Sequence, residues 1–390
     1  MTTIAPERLL DRDRAASDGI LASGLFLAAG TGMAVLWSAS TGYAISLGHA
    51  SWWFAARQAA FWVPAIAIFA AAAFVPLERL RKGIGILTLL GLVLLVLPFL
   101  PVIGERRNGA ARWIDLGFTT VQPSEFWKPI AIVYLAHVLD RRGRARGDTH
   151  PSSLVGPFVL VSFGALLVYL QNDFSTAVIA MVAVAAVFWI AGAPLGAFAG
   201  LGFAGTALGT LMVLTSDFRL RRILSFLFPS YEPHGQSYQI LASLHAIREG
   251  GWFGKGFGLG TLKIGSIPEV QSDFVFASFS EEVGFFGVLL FFALWGLVTW
   301  RAFSNALRDE DRFRSLLGFG LGFLLALEIL INTAVAAGVV PATGIALPFF
   351  SAGGSSLMAS AAIAGILVNL GRAGSSRADF PSESTEAFHD

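Results

Sequence analysis

The chain has 390 residues, of which 55% are hydrophobic and only 14% are charged, whereas a soluble domain carries roughly 25% charged residues. So little polar surface excludes an ordinary water-soluble fold, and uninterrupted apolar runs of about 20 residues match the hydrocarbon thickness of a bilayer when helical. The formal net charge of +1 excludes a strong general attraction to nucleic acid, and the absence of cysteine excludes disulfides, thiol catalysis and Cys-bound metal.

The first 18 residues mix Arg8, Arg12 and Arg14 with acids and lack the apolar stretch and cleavage site of a removable leader, so they read as a cytoplasmic tail. Apolar runs then predict spans near 19–39, 57–75, 84–103, 124–139, 154–171, 174–193, 195–215, 274–300, 316–337 and 346–370. The expected fold is an all-α polytopic membrane protein of about ten transmembrane helices. Residues 19–372 form its transmembrane domain, with one large extracellular loop, 216–272, between helices 7 and 8. The Ser-, Glu- and Asp-rich residues 373–390 read as a disordered cytoplasmic tail. Arg79, Arg81 and Lys82, the cluster Arg141 to Arg146, and Arg301 to Arg314 place the connecting loops and both termini in the cytoplasm. Two loops on the other side are basic against that rule. One holds Arg106, Arg107 and Arg112; the other holds Arg219, Arg221, Arg222, Arg248, Lys255 and Lys263. Long loops cross regardless of charge, but both loops also suit an anionic substrate outside.

After the third span, Pro123-Ser-Glu125 suits a helix start, and Lys128 follows Glu125 by one turn, close enough to pair. A lysine can snorkel from such a position, yet its cost inside a span favours a cavity-facing role. Asp173 reads as the cap of the sixth span. Gly250 to Gly260 is glycine-rich, which fits either a turn that offers amides to phosphate or a loosely packed loop. Asp273 ends the long loop just before an apolar run. A carboxylate there is partly desolvated and more basic, and Asp at a helix start is also an ordinary cap. Glu281 and Glu282 lie two turns on, where acids either favour an early helical turn or face a cavity or cation. Glu328 and Asn332 share one helical face inside the ninth span and point into the bundle, as helix ties or lining for a lipid path. His49, His137, His234 and His245 show no ligand spacing. No cofactor is called for, and a divalent cation is left open.

Several motifs in order resemble one family. These are Asn108-Gly-Ala-Ala-Arg-Trp113, Gln122-Pro-Ser-Glu-Phe-Trp-Lys128, Gln171-Asn-Asp-Phe-Ser-Thr176, Arg222-Ile-Leu-Ser-Phe-Leu-Phe-Pro229, Ser237-Tyr-Gln239, Ile267-Pro-Glu-Val-Gln-Ser-Asp273, Ser280-Glu-Glu-Val-Gly284 and Leu347 to Ser356. The chain is identified on them as a member of the SEDS family (shape, elongation, division and sporulation; members FtsW, RodA and SpoVE). Asn108-Gly-Ala, Ser237-Tyr-Gln and Ile267 to Asp273 look more like the division type, FtsW; Thr343 looks more like the elongation type, and Ala352 stands where many members have Tyr.

The resemblance implies a peptidoglycan glycosyltransferase of the bacterial cytoplasmic membrane. Such an enzyme polymerises lipid II, a disaccharide-pentapeptide on undecaprenyl diphosphate, into β-1,4 glycan strands at the outer face. It implies Asp273 as the catalytic base taking the acceptor hydroxyl proton. Arg112, Lys128, Lys255 and Lys263 are then candidates for holding the leaving diphosphate, with Glu125 and Glu282 beside them as substrate-binding residues. A class B transpeptidase and other division or elongation proteins are the implied partners. The transpeptidase's helix is expected on the lipid face of spans eight and nine, where Gly318, Gly320 and Gly322 would permit close approach. Two other functions stay open. A lipid II flippase predicts decisive polar residues at mid-membrane, and a non-catalytic scaffold predicts a dispensable Asp273.

Overall fold

The computed structural model describes residues 6–107, 109–146, 151–228, 236–261 and 270–376. They form twelve helices: α1 (Pro6–Ser46), α2 (Trp53–Phe74), α3 (Leu77–Val96), α4 (Pro123–Arg146), α5 (Pro151–Leu170), α6 (Phe174–Ile190), α7 (Leu195–Leu214), α8 (Asp217–Leu227), α9 (Gln236–Gly250), α10 (Val275–Arg308), α11 (Arg312–Ala336) and α12 (Gly354–Ser376). Six of these, α1, α2, α3, α10, α11 and α12, contain segments long and apolar enough to cross a membrane. The apolar stretches Leu154–Leu170 and Phe174–Ile190 are shorter, and α4 carries charges at both ends. Large side chains such as Phe26, Val63, Ile86 and Leu290 lie bare on the outside of the bundle, as they would against lipid.

The interior is built around the last two long helices. In the most apolar window of α11, 61% of residues are buried, and in α12 78%, against 17% in α2. Small residues set the spacing. A Cβ at Gly320 would press on Ile132 and Val187, and one at Gly322 on Ala302 and Phe303. Gly318 meets Ala306 and Leu370 in the same way. All three glycines are buried inside the bundle, which corrects the expectation that they offer α11 to a partner helix. Trp127 of α4 is similarly locked, packed against Gly91 of α3 and Gly164 of α5.

The expectation of an all-helical chain also needs correction. Between α3 and α4 lies a three-stranded antiparallel sheet, β1 (Gly104–Arg107), β2 (Ala110–Asp115) and β3 (Thr120–Val121), in the order β1-β2-β3. A bulge between Glu105 and Arg106 shifts the β1–β2 register. The segment 216–272, read as one loop, contains α8 and α9. The last helix starts at Gly354 rather than near residue 346, because Pro348 and Phe349, with a φ of 65°, break the backbone before it.

The opposite end of the bundle is tied by arginines. Arg81 of α3 pairs with the buried Asp140 of α4 and lies over the Phe313 ring. Arg312 donates at 3.0 Å to the carbonyl of Ala191, the residue that ends α6, and Arg314 donates to the Leu370 carbonyl of α12 at 2.8 Å.

Candidate active site

Asp273 sits half-buried in a turn immediately before α10. The N-cap position belongs to Phe274, one residue later. Three neighbours hold the turn. Ala352 N–H donates to the Gln271 carbonyl at 2.7 Å, and the Ser351 hydroxyl donates to the Ser272 carbonyl. The Asn332 amide donates to the carbonyls of Asp273, at 3.3 Å, and Ile345, at 2.7 Å. Gly344 faces the carboxylate itself: a Cβ added there would lie 3.7 Å from Asp273 Oδ2. The turn that carries the carboxylate is thus fixed through its backbone, with Gly344 beside the side chain.

Beside it lies a cluster of opposite charges. Arg112, on β2, donates to the Asn172 carbonyl and stands 3.9 Å from Asp173 Oδ1. Asn172 returns the contact, donating to the Gly109 carbonyl at 2.9 Å. Asp173 caps α6 through Thr176 N–H and accepts from Gln122 Nε2 at 3.0 Å. Arg222 approaches from α8. That helix is docked by Arg219, which donates to Tyr169 Oη and the Met212 carbonyl, both at 3.0 Å, with its guanidinium over the Tyr169 and Phe174 rings. Burial holds the Arg222 guanidinium below its usual pKa and Arg112 lowers it further, while Asp273 and Asp173 act to raise it. Arg222 belongs to the basic loop read from sequence as suited to an anionic substrate, but was not singled out there as a site residue. Its signal was the Arg219-x-x-Arg222 spacing, which puts both on one face of an amphipathic helix.

Glu125 and Lys128 are brought together, as their spacing suggested, but a third residue joins them. Lys128 Nζ lies 3.1 and 3.0 Å from the two Glu125 oxygens and 2.5 Å from Glu328 Oε1 on α11. All three residues are buried. Glu328 and Asn332, one turn apart, therefore connect α11 to Lys128 through one residue and to the Asp273 turn through the other.

Glu281 and Glu282 occupy a separate place. Helix α10 breaks at Gly284, whose φ is 66° and ψ −169°. A break strands backbone groups, which are expensive to leave unpaired in a membrane. The glycine-rich segment supplies their partners. Lys255 and Gly256 N–H donate to the carbonyls of Glu281 and Glu282 at 3.0 Å, and Phe285 and Phe286 N–H donate to Gly251 and Trp252. Side chains lock the same clasp. Lys255 Nζ is 3.0 Å from Glu281 Oε1, which also accepts from Thr261 N–H at 2.9 Å, and Lys255 is 3.2 Å from Glu249. Its bond to Glu281 raises the Lys255 pKa above the ordinary lysine value. Glu282 accepts from the Ser38 hydroxyl of α1 at 2.6 Å and from Gly258 N–H at 3.0 Å. Gly251, Gly254 and Gly256, all with positive φ, thus close a backbone exchange with α10. Lys263 lies outside the described residues, as does Asn108.

An apolar cavity of about 460 Å³ opens beside the kink, between α9, α10 and α11, lined by Phe276, Gly284, Val288, Phe292, Leu330 and Ala334 among others.

Fold and site together define a helical, multi-pass membrane protein with a charged cluster at one end of its bundle. The chain belongs to the FtsW, RodA and SpoVE family, whose model, described as cell cycle protein, matches residues 20–376. It is 36% identical over 366 residues to a "Probable peptidoglycan glycosyltransferase FtsW" of Thioalkalivibrio sp. (strain K90mix), covering 93% of this chain and 91% of that one. It is 34% identical over 342 residues to "Stage V sporulation protein E" of Bacillus subtilis, covering 87% and 93%. Among solved structures, one described as "Structural coordination of polymerization and crosslinking by a peptidoglycan synthase complex" superimposes with a TM-score of 0.70 at 28% identity, over 90% of this chain and 97% of that one. The rod shape determining protein RodA of Thermus thermophilus does so with a TM-score of 0.64 at 25% identity, over 90% and 96%.

Proposed function

We propose that this protein is a peptidoglycan glycosyltransferase that polymerises lipid II at the outer face of the bacterial cytoplasmic membrane. The observation that carries the reading is a half-buried carboxylate, Asp273, pinned through its backbone beside a guanidinium cluster. The named relatives support the activity: glycosyltransferases of the FtsW type are similar along nearly the whole chain.

In this mechanism Asp273 accepts the proton of the acceptor sugar hydroxyl as that oxygen forms its bond to the donor's anomeric carbon. The bond from that carbon to the diphosphate breaks, and its electron pair leaves with the prenyl diphosphate. Fixed cations stabilise the charge that develops there. Arg112 is the best placed of the original candidates. Lys128 is engaged by two carboxylates, so we assign it to holding α4 and α11 around the site rather than to direct contact with the leaving group. Lys255 and Glu282 fix the clasp. Lys263 keeps its proposed place in the diphosphate site.

The membrane arrangement proposed with this reading has ten spans, α1 to α7 and α10 to α12, both termini cytoplasmic, and residues 216–272 outside. Cell division is the favoured setting, with a class B transpeptidase as partner. With Gly318 and Gly322 internal, its helix is placed on the groove between α10 and α11.

The test is polymerisation of lipid II by the purified chain, with and without the transpeptidase. Glycan strands support the enzyme. Translocation of lipid II across a vesicle without polymer would support a flippase, and neither activity would leave a scaffold.

A further inference from the structure

We infer that the segment 345–353, ahead of α12, is the device that sets the position of Asp273, with Ser351 and Asn332 as positioning residues. The inference rests on the reading of Asp273 as the base and deepens it, giving the Leu347 to Ser356 motif a part in the reaction. Asp273 stands outside α10, and Phe274 at the cap makes no side-chain bond, so the helix alone does not fix the turn. Its backbone is held by other segments. The carbonyls of Gln271, Ser272 and Asp273 are consecutive, and each accepts from a different donor: Ala352 N–H, the Ser351 hydroxyl and the Asn332 amide. Ser351 and Asn332 are both buried, where a lost hydrogen bond is not replaced by bulk water.

The two side-chain donors are themselves fixed by the segment. Ser351 Oγ accepts from Leu347 N–H at 2.8 Å, and the Asn332 amide also donates to the Ile345 carbonyl at 2.7 Å. Phe350 N–H and Ser351 N–H both donate to the Leu347 carbonyl at 3.0 Å, closing a tight turn. Within that turn Phe349 has a φ of 65°, a conformation costly for a bulky side chain. Such strain persists only where the surroundings over-determine it, and it collects at functional sites. The surroundings here do so. The Phe349 ring stacks against Trp62 of α2 and Trp295 of α10, and its carbonyl packs where Gly32 of α1 has no Cβ. Gln58 of α2 donates to the Ser351 carbonyl at 3.4 Å and accepts from Gly353 N–H at 3.2 Å. Helices α1, α2, α10 and α11 thus grip a strained turn that aims one hydroxyl at the backbone beside Asp273.

The experiment is a double-mutant cycle on the purified full-length protein with its transpeptidase partner, read by polymerisation of lipid II. Ser351→Ala should lower kcat by about 10- to 100-fold at nearly unchanged KM, because moving a reacting group by about 1 Å can cost about 10²-fold. A positioning residue acts only through the group it places, so its effect is not additive with loss of that group. In the Asp273→Asn background Ser351→Ala should therefore have little further effect, whereas general damage to the fold would lower activity in both backgrounds alike. Hydrogen exchange gives a second readout: Ser351→Ala should speed exchange of the peptide 270–275 and leave α5 and α6 unchanged. Asn332→Ala should behave in the same way, and it carries the test if Ser351→Ala does not fold. Equal losses in both backgrounds, or an unchanged kcat in Ser351→Ala, would overturn the inference. A wild-type rate in Asp273→Asn alone would instead remove the base reading on which it rests.

Discussion

At the scale of single residues, the most exacting arrangement is Lys128 between Glu125 and Glu328, all buried. One ammonium serves two carboxylates, so removing it leaves uncompensated negative charge inside the bundle. Breaking a buried ion pair from one side typically costs about 3–5 kcal/mol. Lys128→Met should therefore lower the unfolding temperature in detergent markedly, and Lys128→Met combined with Glu328→Gln should regain part of it. Equal stability of single and double variants would show that Lys128 does not hold the two helices. The Glu125–Lys128 pair was legible from its three-residue spacing. Glu328 was recognised as inward-facing, but its partner lies 200 residues away in sequence and no local pattern links them. Arg222 was named only as one of several arginines in a basic segment, and the face it shares with Arg219 gains meaning only once α8 docks.

At the scale of elements, the kink in α10 explains a glycine-rich stretch that its composition left ambiguous. Gly254 and Gly284 both have positive φ, and a Cβ on either would strike the backbone of the other segment. Gly284→Ala or Gly254→Ala should each cost at least about 1–3 kcal/mol of backbone strain, seen as a lower melting temperature and reduced polymerisation. Gly256 makes a useful comparison. Its Cβ would meet only the flexible end of Leu259, so Gly256→Ala should carry the strain of its φ without a backbone collision. Apolar length made the long helices α1, α2, α3, α10 and α11 visible, but not the clasp, since two chain segments must exchange backbone hydrogen bonds to create it. The small sheet was missed for the same kind of reason. Its strands are short, and the consecutive charges Glu105-Arg-Arg107 in β1 break the alternation of apolar and polar residues that would announce a strand.

The groove beside the kink carries its own expectation. If the transpeptidase helix seats there, Ala334→Trp should reduce co-purification of the partner while leaving the isolated chain folded. Undiminished co-purification would place the partner on another face.

For the molecule as a whole, the arrangement proposed across the membrane rests on arginine-rich connections at the end opposite the sheet. Because the chain contains no cysteine, single introduced thiols report on it cleanly. Arg221→Cys on α8 should react with an impermeant maleimide in intact cells, and Arg141→Cys at the end of α4 should react only after permeabilisation. The reverse pattern would invert the topology and remove Asp273 from the face where lipid-linked substrate is proposed to be used. The most direct test of the central claim is polymerisation of lipid II by purified Asp273→Asn with its transpeptidase partner. The substitution keeps nearly the same shape but cannot take up the acceptor proton. The account predicts a folded variant that still binds undecaprenyl diphosphate and its partner, with glycan synthesis reduced by about 10²–10⁴-fold; synthesis near the wild-type rate would contradict it.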